Sequence, residues 1–169
     1  MKELYYQIIE FRNHKYIIAV TDKGLAYVGL RDETLSDMSV FYPKADFVED
    51  KMRTQEYANE VMEYLQGKRT KFDLKIDISG TKFQESVWQA VAKIPYGAVS
   101  NYSKIANAIN RPKAVRAVGT AIGRNPVPLV IPCHRVLAKN GTLGGYRGGL
   151  AMKSDLLQLE RDVQKYESI

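Results

Sequence analysis

The sequence predicts an α/β protein of the α+β kind, built in two parts, and two patterns carry that expectation. Runs rich in β-branched and aromatic residues, cut by turn signals, are concentrated before residue 80, whereas apolar residues at helical spacing dominate after it. The change falls at Ser79-Gly80-Thr81, which divides the chain into a domain of residues 1–79 and a domain of residues 80–169. At 169 residues and 45% hydrophobic, the chain can bury a proper core as one domain or two small ones.

In the first part, Tyr5 to Phe11, Lys15 to Thr21 and Gly24 to Leu30 read as strands joined by Asn13-His14 and Asp22-Lys23-Gly24, giving two hairpins. His14, beside Asn13 in such a turn, reads as a solvated loop residue rather than a metal ligand. Thr54 to Gln66 sets Tyr57, Val61, Tyr64 and Leu65 on one helical face, with Gly67 as the stop. Phe72, Leu74, Ile76 and Ile78 then alternate with Asp73, Lys75 and Asp77 as one more half-buried strand.

In the second part, Phe83, Val87, Trp88, Val91 and Ile94 recur at helical spacing until Pro95-Tyr96-Gly97. A short helix over Tyr102 to Ile109 is opened by Ser100 or Asn101. Asn110-Arg111-Pro112 turns the chain, and a second helix runs from Pro112 or Lys113 to about Gly123. Two short helices and a tight turn suggest helix-turn-helix. A last helix buries Met152, Leu156, Leu159 and Val163, with Glu160 at the edge of the stripe.

Cys133 is the only cysteine, and it stands next to one of two histidines in Ile131-Pro132-Cys133-His134-Arg135. The proline fixes the backbone ahead of the thiol, and imidazole and guanidinium are groups that favour the reactive thiolate. One cysteine excludes an internal disulfide and any cysteine-rich metal site and fits a reducing compartment. The first residues carry no signal-peptide pattern, and no apolar run approaches the ~20 residues of a membrane span, so the expected location is cytoplasmic.

Charge is segregated. The net of +6 hides a segment, Thr81 to Leu150, with ten basic residues and the single acid Glu85, net +9, against −3 for the rest. Such segregation suits a polyanionic partner. Within the second short helix Lys113, Arg116, Thr120 and Arg124 form a cationic stripe, and Ala114, Ala117 and Ala121 form one without bulk, a surface able to approach a DNA groove. Gly141, Gly144, Gly145, Gly148 and Gly149 frame Tyr146 and Arg147. With no phosphate-loop signature, they read as a loop shaped around a flat ligand rather than a nucleotide cofactor site. A cysteine hydrolase would place thiol and imidazole on separate elements, which adjacency opposes.

Taken in order, Arg116-Ala117-Val118-Gly119, Asn125-Pro126-Val127-Pro128, Ile131 to Val136 and Gly145-Tyr146-Arg147-Gly148-Gly149-Leu150 resemble the methylated-DNA–protein-cysteine methyltransferases, or O6-alkylguanine-DNA alkyltransferases. The match is strong from about Thr81 to Arg161 and general in pattern before it. The resemblance implies an N-terminal ribonuclease-H-like α/β domain and a C-terminal helix-turn-helix, winged-helix-like domain. It also implies direct DNA repair, in which the base is flipped out and the alkyl group of O6-methylguanine, or of O4-methylthymine, moves irreversibly to the protein's own cysteine.

By the same resemblance Cys133 is the acceptor, His134 its base through a bound water, Glu160 the carboxylate that orients the ring, and Asn125 the brace of the turn. Tyr102 would donate to the departing guanine. Arg116 would fill the space left by the base, and Ser103, Arg111, Lys113, Ala114, Ala117, Ala121 and Lys139 would lie against the DNA. Val136, Tyr146, Arg147 and Gly148 would line the base pocket. The implied partner is double-stranded DNA carrying O6-alkylguanine, met by a monomer that needs no cofactor, metal or membrane. Some relatives bind zinc through N-terminal cysteines and histidines, a site that His14 alone cannot form. The alternative reading is a non-catalytic lesion-binding module, whose relatives replace the cysteine that this chain keeps.

Overall fold

The computed structural model describes residues 2–167. Contacts cluster into two units, one running up to Ile78 and including Pro126–Pro128, the other comprising Ser79–Asn125 and the chain from Leu129 onward. The Asn-Pro-Val-Pro motif is where the chain leaves the second unit for three residues, and the Val28 N–H donates to the Pro126 carbonyl at 2.9 Å.

The first unit is a four-stranded sheet, β1 (Glu3–Phe11), β2 (His14–Val20), β3 (Leu25–Val28) and β4 (Asp46–Glu49), in the order β3-β2-β1-β4. β1–β2 and β2–β3 are antiparallel and β1–β4 parallel. The first turn is Arg12-Asn13, with φ of 50° and 67°, the paired positive values that a tight two-residue hairpin needs. His14 therefore begins β2 instead of sitting in the turn, and its Nδ1 lies 2.7 Å from Asp32 Oδ2.

Strand alternation gives the sheet two faces. Leu4, Tyr6, Ile17, Ala19 and Tyr27 pack with Met38, Leu35 and Phe41 of α1 (Leu35–Phe41). The opposite face carries Gln7, whose amide donates to buried Thr54 of α2 (Lys51–Leu65) at 2.9 Å. Asp50 caps α2, so that helix starts one turn earlier than its apolar pattern suggests. At seven and four residues, α1 and β4 are too short for periodicity to reveal, and the sequence pattern misses both. The strand expected over Phe72 to Ile78 is not formed. That segment makes one parallel bridge, Leu25 with Ile76, because β3 presents only its first residue to it.

The second unit is helical, as expected: α3 (Lys82–Ala92), α4 (Tyr102–Ala108), α5 (Val115–Gly123) and α6 (Leu150–Glu167). Thr81 and Gln84 close a reciprocal capping box on α3, and Asn101 caps α4 through the Lys104 N–H. β5 (Ser100–Asn101) and β6 (Val136–Leu137) pair in parallel, which sets the start of α4 beside the chain that follows Cys133.

α5 begins at Val115, later than expected, because Arg111 to Ala114 close a turn of their own with the Ala114 N–H on the Arg111 carbonyl at 2.9 Å. Lys113 and Ala114 thus precede the helix. Ala121 is a correction to the smooth stripe: it is 3% exposed and its carbonyl accepts the Trp88 indole N–H at 2.9 Å, so it belongs to the core and not to a groove-facing surface. On α6 the buried face is Met152, Lys153, Leu156, Leu157 and Glu160, whereas Leu159 and Val163 are half-buried. The stripe is turned towards two charged residues because both find partners inside.

Candidate active site

Cys133, His134 and Arg135 form a single 3-10 turn. Pro132, at φ −80° and ψ 67°, is the centre of an inverse γ-turn, with the Cys133 N–H donating to the Ile131 carbonyl at 2.8 Å. The ring supplies the required φ. The Ile131 carbonyl also accepts from Asn125 Nδ2 at 2.9 Å, so buried Asn125 holds the turn from the far side of the Pro126–Pro128 excursion.

All three residues of the turn are buried, Cys133 at 7% exposure and His134 at 0%. They run along the inner face of α6, where Glu160, 1% exposed, gathers four donors. Its Oε2 meets His134 Nε2 at 2.6 Å and accepts from Arg135 Nη2 at 2.9 Å; its Oε1 accepts from Arg135 Nε at 2.8 Å and from the Gly97 N–H at 3.0 Å. A two-pronged guanidinium keeps the carboxylate ionised. An ionised carboxylate can only accept, so the histidine nitrogen facing it carries the proton and Nδ1 carries the lone pair. Glu160 therefore fixes the tautomer, as in the second-sphere support of other reactive imidazoles.

Arg135 takes part in a way the sequence did not reveal. Its guanidinium completes Glu160, donates to the Ile94 carbonyl at 2.7 Å and stacks 5.4 Å from the Tyr96 ring centroid. It serves the carboxylate and not the thiol, contrary to the expectation that it favours thiolate directly. Lys153 is the participant that sequence reasoning missed. It is fully buried, and its Nζ donates to the carbonyls of Val136 at 2.6 Å, Gly145 at 3.1 Å and Leu143. The signal was present: 153, 157 and 160 share one helical face, and only the charge at 153 concealed it.

Burial dominates the electrostatics. It pushes the Cys133 thiol above its usual range, against the lowering pull of the Asn125 side chain, Arg147 and Lys153. It holds His134 below the usual imidazole range, against Glu160, which acts in the opposite direction. The resting pair is a neutral thiol beside a neutral, oriented imidazole.

Tyr102, the first residue of α4, is half-buried, and its phenol is raised by burial and then by Cys133, while the Gly145 N–H lowers it. A side-chain carbon on Gly144, whose φ is 68°, would meet the Tyr102 ring and hydroxyl at 3.2 Å. Val136 is buried in β6, and Tyr146, Arg147 and Gly148 are half-buried in the loop before α6. Of the expected DNA-facing residues, Arg111, Lys113, Arg116, Ala117 and Lys139 are exposed and Ser103 and Ala114 half-buried. Arg116 opens the first turn of α5 and its carbonyl accepts from Thr120 Oγ at 3.2 Å. Among the described residues no group of three or more His, Cys, Asp or Glu could hold a metal ion, and no helix is long and apolar enough to cross a membrane.

Residues 82–162 match the family model of the 6-O-methylguanine DNA methyltransferase DNA-binding domain. An inducible methylated-DNA–protein-cysteine methyltransferase of Bacillus subtilis is 46% identical over 162 residues, covering 94% of this chain and 90% of the relative. One from Methanosarcina barkeri is 42% identical, with 94% and 98% covered. The crystal structure of Mycobacterium tuberculosis OGT in complex with DNA superposes with a TM-score of 0.83 at 33% identity, covering 94% of each chain. With that identity maintained across nearly the whole length, the chain belongs to the methylated-DNA–protein-cysteine methyltransferase family.

Proposed function

We propose that this protein repairs DNA by moving the alkyl group of O6-alkylguanine, and of O4-methylthymine, onto Cys133, once per molecule. The observation that carries the reading is the buried chain His134–Glu160–Arg135 next to buried Cys133, which fixes a neutral imidazole in the tautomer whose Nδ1 is the basic nitrogen. With Nε2 engaged on Glu160, Nδ1 takes the thiol proton through a bridging water. The sulfur then displaces guanine: the S–C bond forms, the C–O6 bond breaks, and guanine recovers a proton as it leaves, assisted by the Tyr102 hydroxyl. A thioether in this site has no route back, so the acceptor is consumed.

Asn125 holds the turn in place, and Val136 with the Tyr146 to Gly148 loop receives the flipped base. Arg116 enters the duplex where the base was, with Arg111, Lys113, Ala117 and Lys139 on the DNA backbone beside it. Ser103 and Ala114 flank that surface. The two domains, residues 1–79 and 80–169, divide the work so that the second carries both DNA binding and chemistry. A lone reduced thiol and a single-turnover mechanism suit a monomer in the cytoplasm.

Intact mass measurement after incubation with a duplex containing O6-methylguanine tests the reading. One added methyl per chain, located on the peptide with Cys133 and absent in Cys133→Ala, is the expected result. Unmodified protein that still binds the lesion would instead mark a non-catalytic recognition module.

A further inference from the structure

Lys153 is the fully buried lysine of the described residues, and none of its hydrogen-bond partners is charged. Its three ammonium protons go to three carbonyls on two segments: Val136, directly after the nucleophile's turn, and Leu143 and Gly145, on either side of Gly144. An ammonium has three donors, so the set is complete. It lies two helical turns before Glu160, roughly 10.5 Å along α6. One face of α6 therefore holds the nucleophile's turn through Glu160 and the strand behind it through Lys153.

We propose that Lys153 is a positioning residue for alkyl transfer: its ammonium clasps the Leu143 to Gly145 loop to the strand following Cys133, and the base pocket keeps its shape only while that clasp is protonated. The proposal rests on the alkyl-transfer reading of Cys133. A neutral amine has two protons and a lone pair, so its formation removes one bond and turns electron density towards a carbonyl oxygen. The loop that loosens carries Gly144, which packs against Tyr102 closely enough that a side chain there would reach the ring. The groups facing the ammonium are Cys133 and His134 of the 3-10 turn and the ring of Tyr102 on α4, 6.0 Å away. None is a carboxylate. Burial accordingly lowers Lys153 to about 8, with Cys133 acting in the opposite direction whenever its thiol ionises.

The clasp and the thiol have opposite pH dependence, which makes them separable. Rate constants are measured from about pH 6 to about pH 10 for free O6-benzylguanine, which needs the pocket, and for iodoacetamide, which needs only the thiolate. Dividing one by the other cancels thiol ionisation. The ratio is expected to fall roughly tenfold or more as Lys153 deprotonates, given how steeply rate depends on placement. The midpoint is expected near 8. In Lys153→Met the ratio should be low and flat at every pH, and in Lys153→Arg, whose guanidinium stays protonated, it should not fall. A flat ratio in the native protein, or a fall that persists in Lys153→Met, overturns the proposal. Where Lys153→Met does not fold, the native profile decides, because a ratio that holds through pH 8 and falls only at the alkaline end of the range belongs to another group, such as the raised phenol of Tyr102, and overturns it too. Reaction with iodoacetamide but none with O6-benzylguanine or lesion duplex at any pH would overturn the alkyl-transfer reading and the clasp together.

Discussion

Glu160 is the residue on which the site's chemistry and its stability meet. Its carboxylate orients His134 and neutralises Arg135, all three side chains being buried. Glu160→Gln would leave the Arg135 charge buried without a counter-ion, a change that costs about 3 kcal/mol or more. Chemical denaturation should therefore show a large loss of stability, alongside slower transfer in a single-turnover assay. Adding Arg135→Met removes the stranded charge, and the double variant should recover most of the stability while transfer stays slow. If stability and rate recover together, Glu160 acts only as structural support.

At the scale of elements, α5 and the turn before it divide the cationic surface into two kinds of residue. Arg116 stands in the first turn of the helix, whereas Lys113 lies in the Arg111 to Ala114 turn. If Arg116 fills the space of an extruded base, Arg116→Ala forfeits part of a flipping cost of a few kcal/mol, and repair of duplex DNA should drop roughly tenfold or more. Reaction with free O6-benzylguanine, which needs no extrusion, should stay near normal. Lys113→Ala should weaken binding and reduce the salt slope by about 1 with little change in rate at saturating DNA. Equal losses on duplex and free base in Arg116→Ala would show a site defect instead of a flipping defect. On α3, Thr81→Ala opens the capping box and should lower the melting temperature by an amount equivalent to about 1 kcal/mol.

For the whole molecule, buried neutral groups set the pH range in which the fold holds. His134 is kept below its ordinary value of 6.5, so between that value and its folded one the unfolded chain binds more protons than the native protein. Stability should accordingly fall as pH drops below 6.5, which a series of denaturation curves would show as a falling midpoint; a flat midpoint down to about pH 5 would contradict a neutral buried imidazole. The +9 segment also presents less charge than its composition states, because Arg135 is spent internally on Glu160. The exposed cations of the segment are Lys82, Lys93, Lys104, Arg111, Lys113, Arg116, Arg124 and Lys139.

Much of this protein was legible in the chain itself. The three strands of the two hairpins, the capped helices α3 and α4 and the Pro-Cys-His-Arg motif declare themselves because their signals are local: alternation, a capping residue, a fixed φ, one nucleophile. What lay outside that reach depends on partners far away in sequence. β4 is too short to carry a pattern and exists because it pairs with β1. Phe72 to Ile78 alternates like a strand but finds only Leu25 to pair with. Ala121 reads as surface until Trp88 claims its carbonyl. Arg135 and Lys153 read as ordinary cations until the fold supplies a carboxylate for one and three carbonyls for the other. Backbone preference and hydrophobic period are properties of neighbouring residues, so the sequence settles them alone. Whether a charge is buried, and therefore what state it takes and what it holds in place, depends on desolvation and pairing that exist only once the chain has closed on itself.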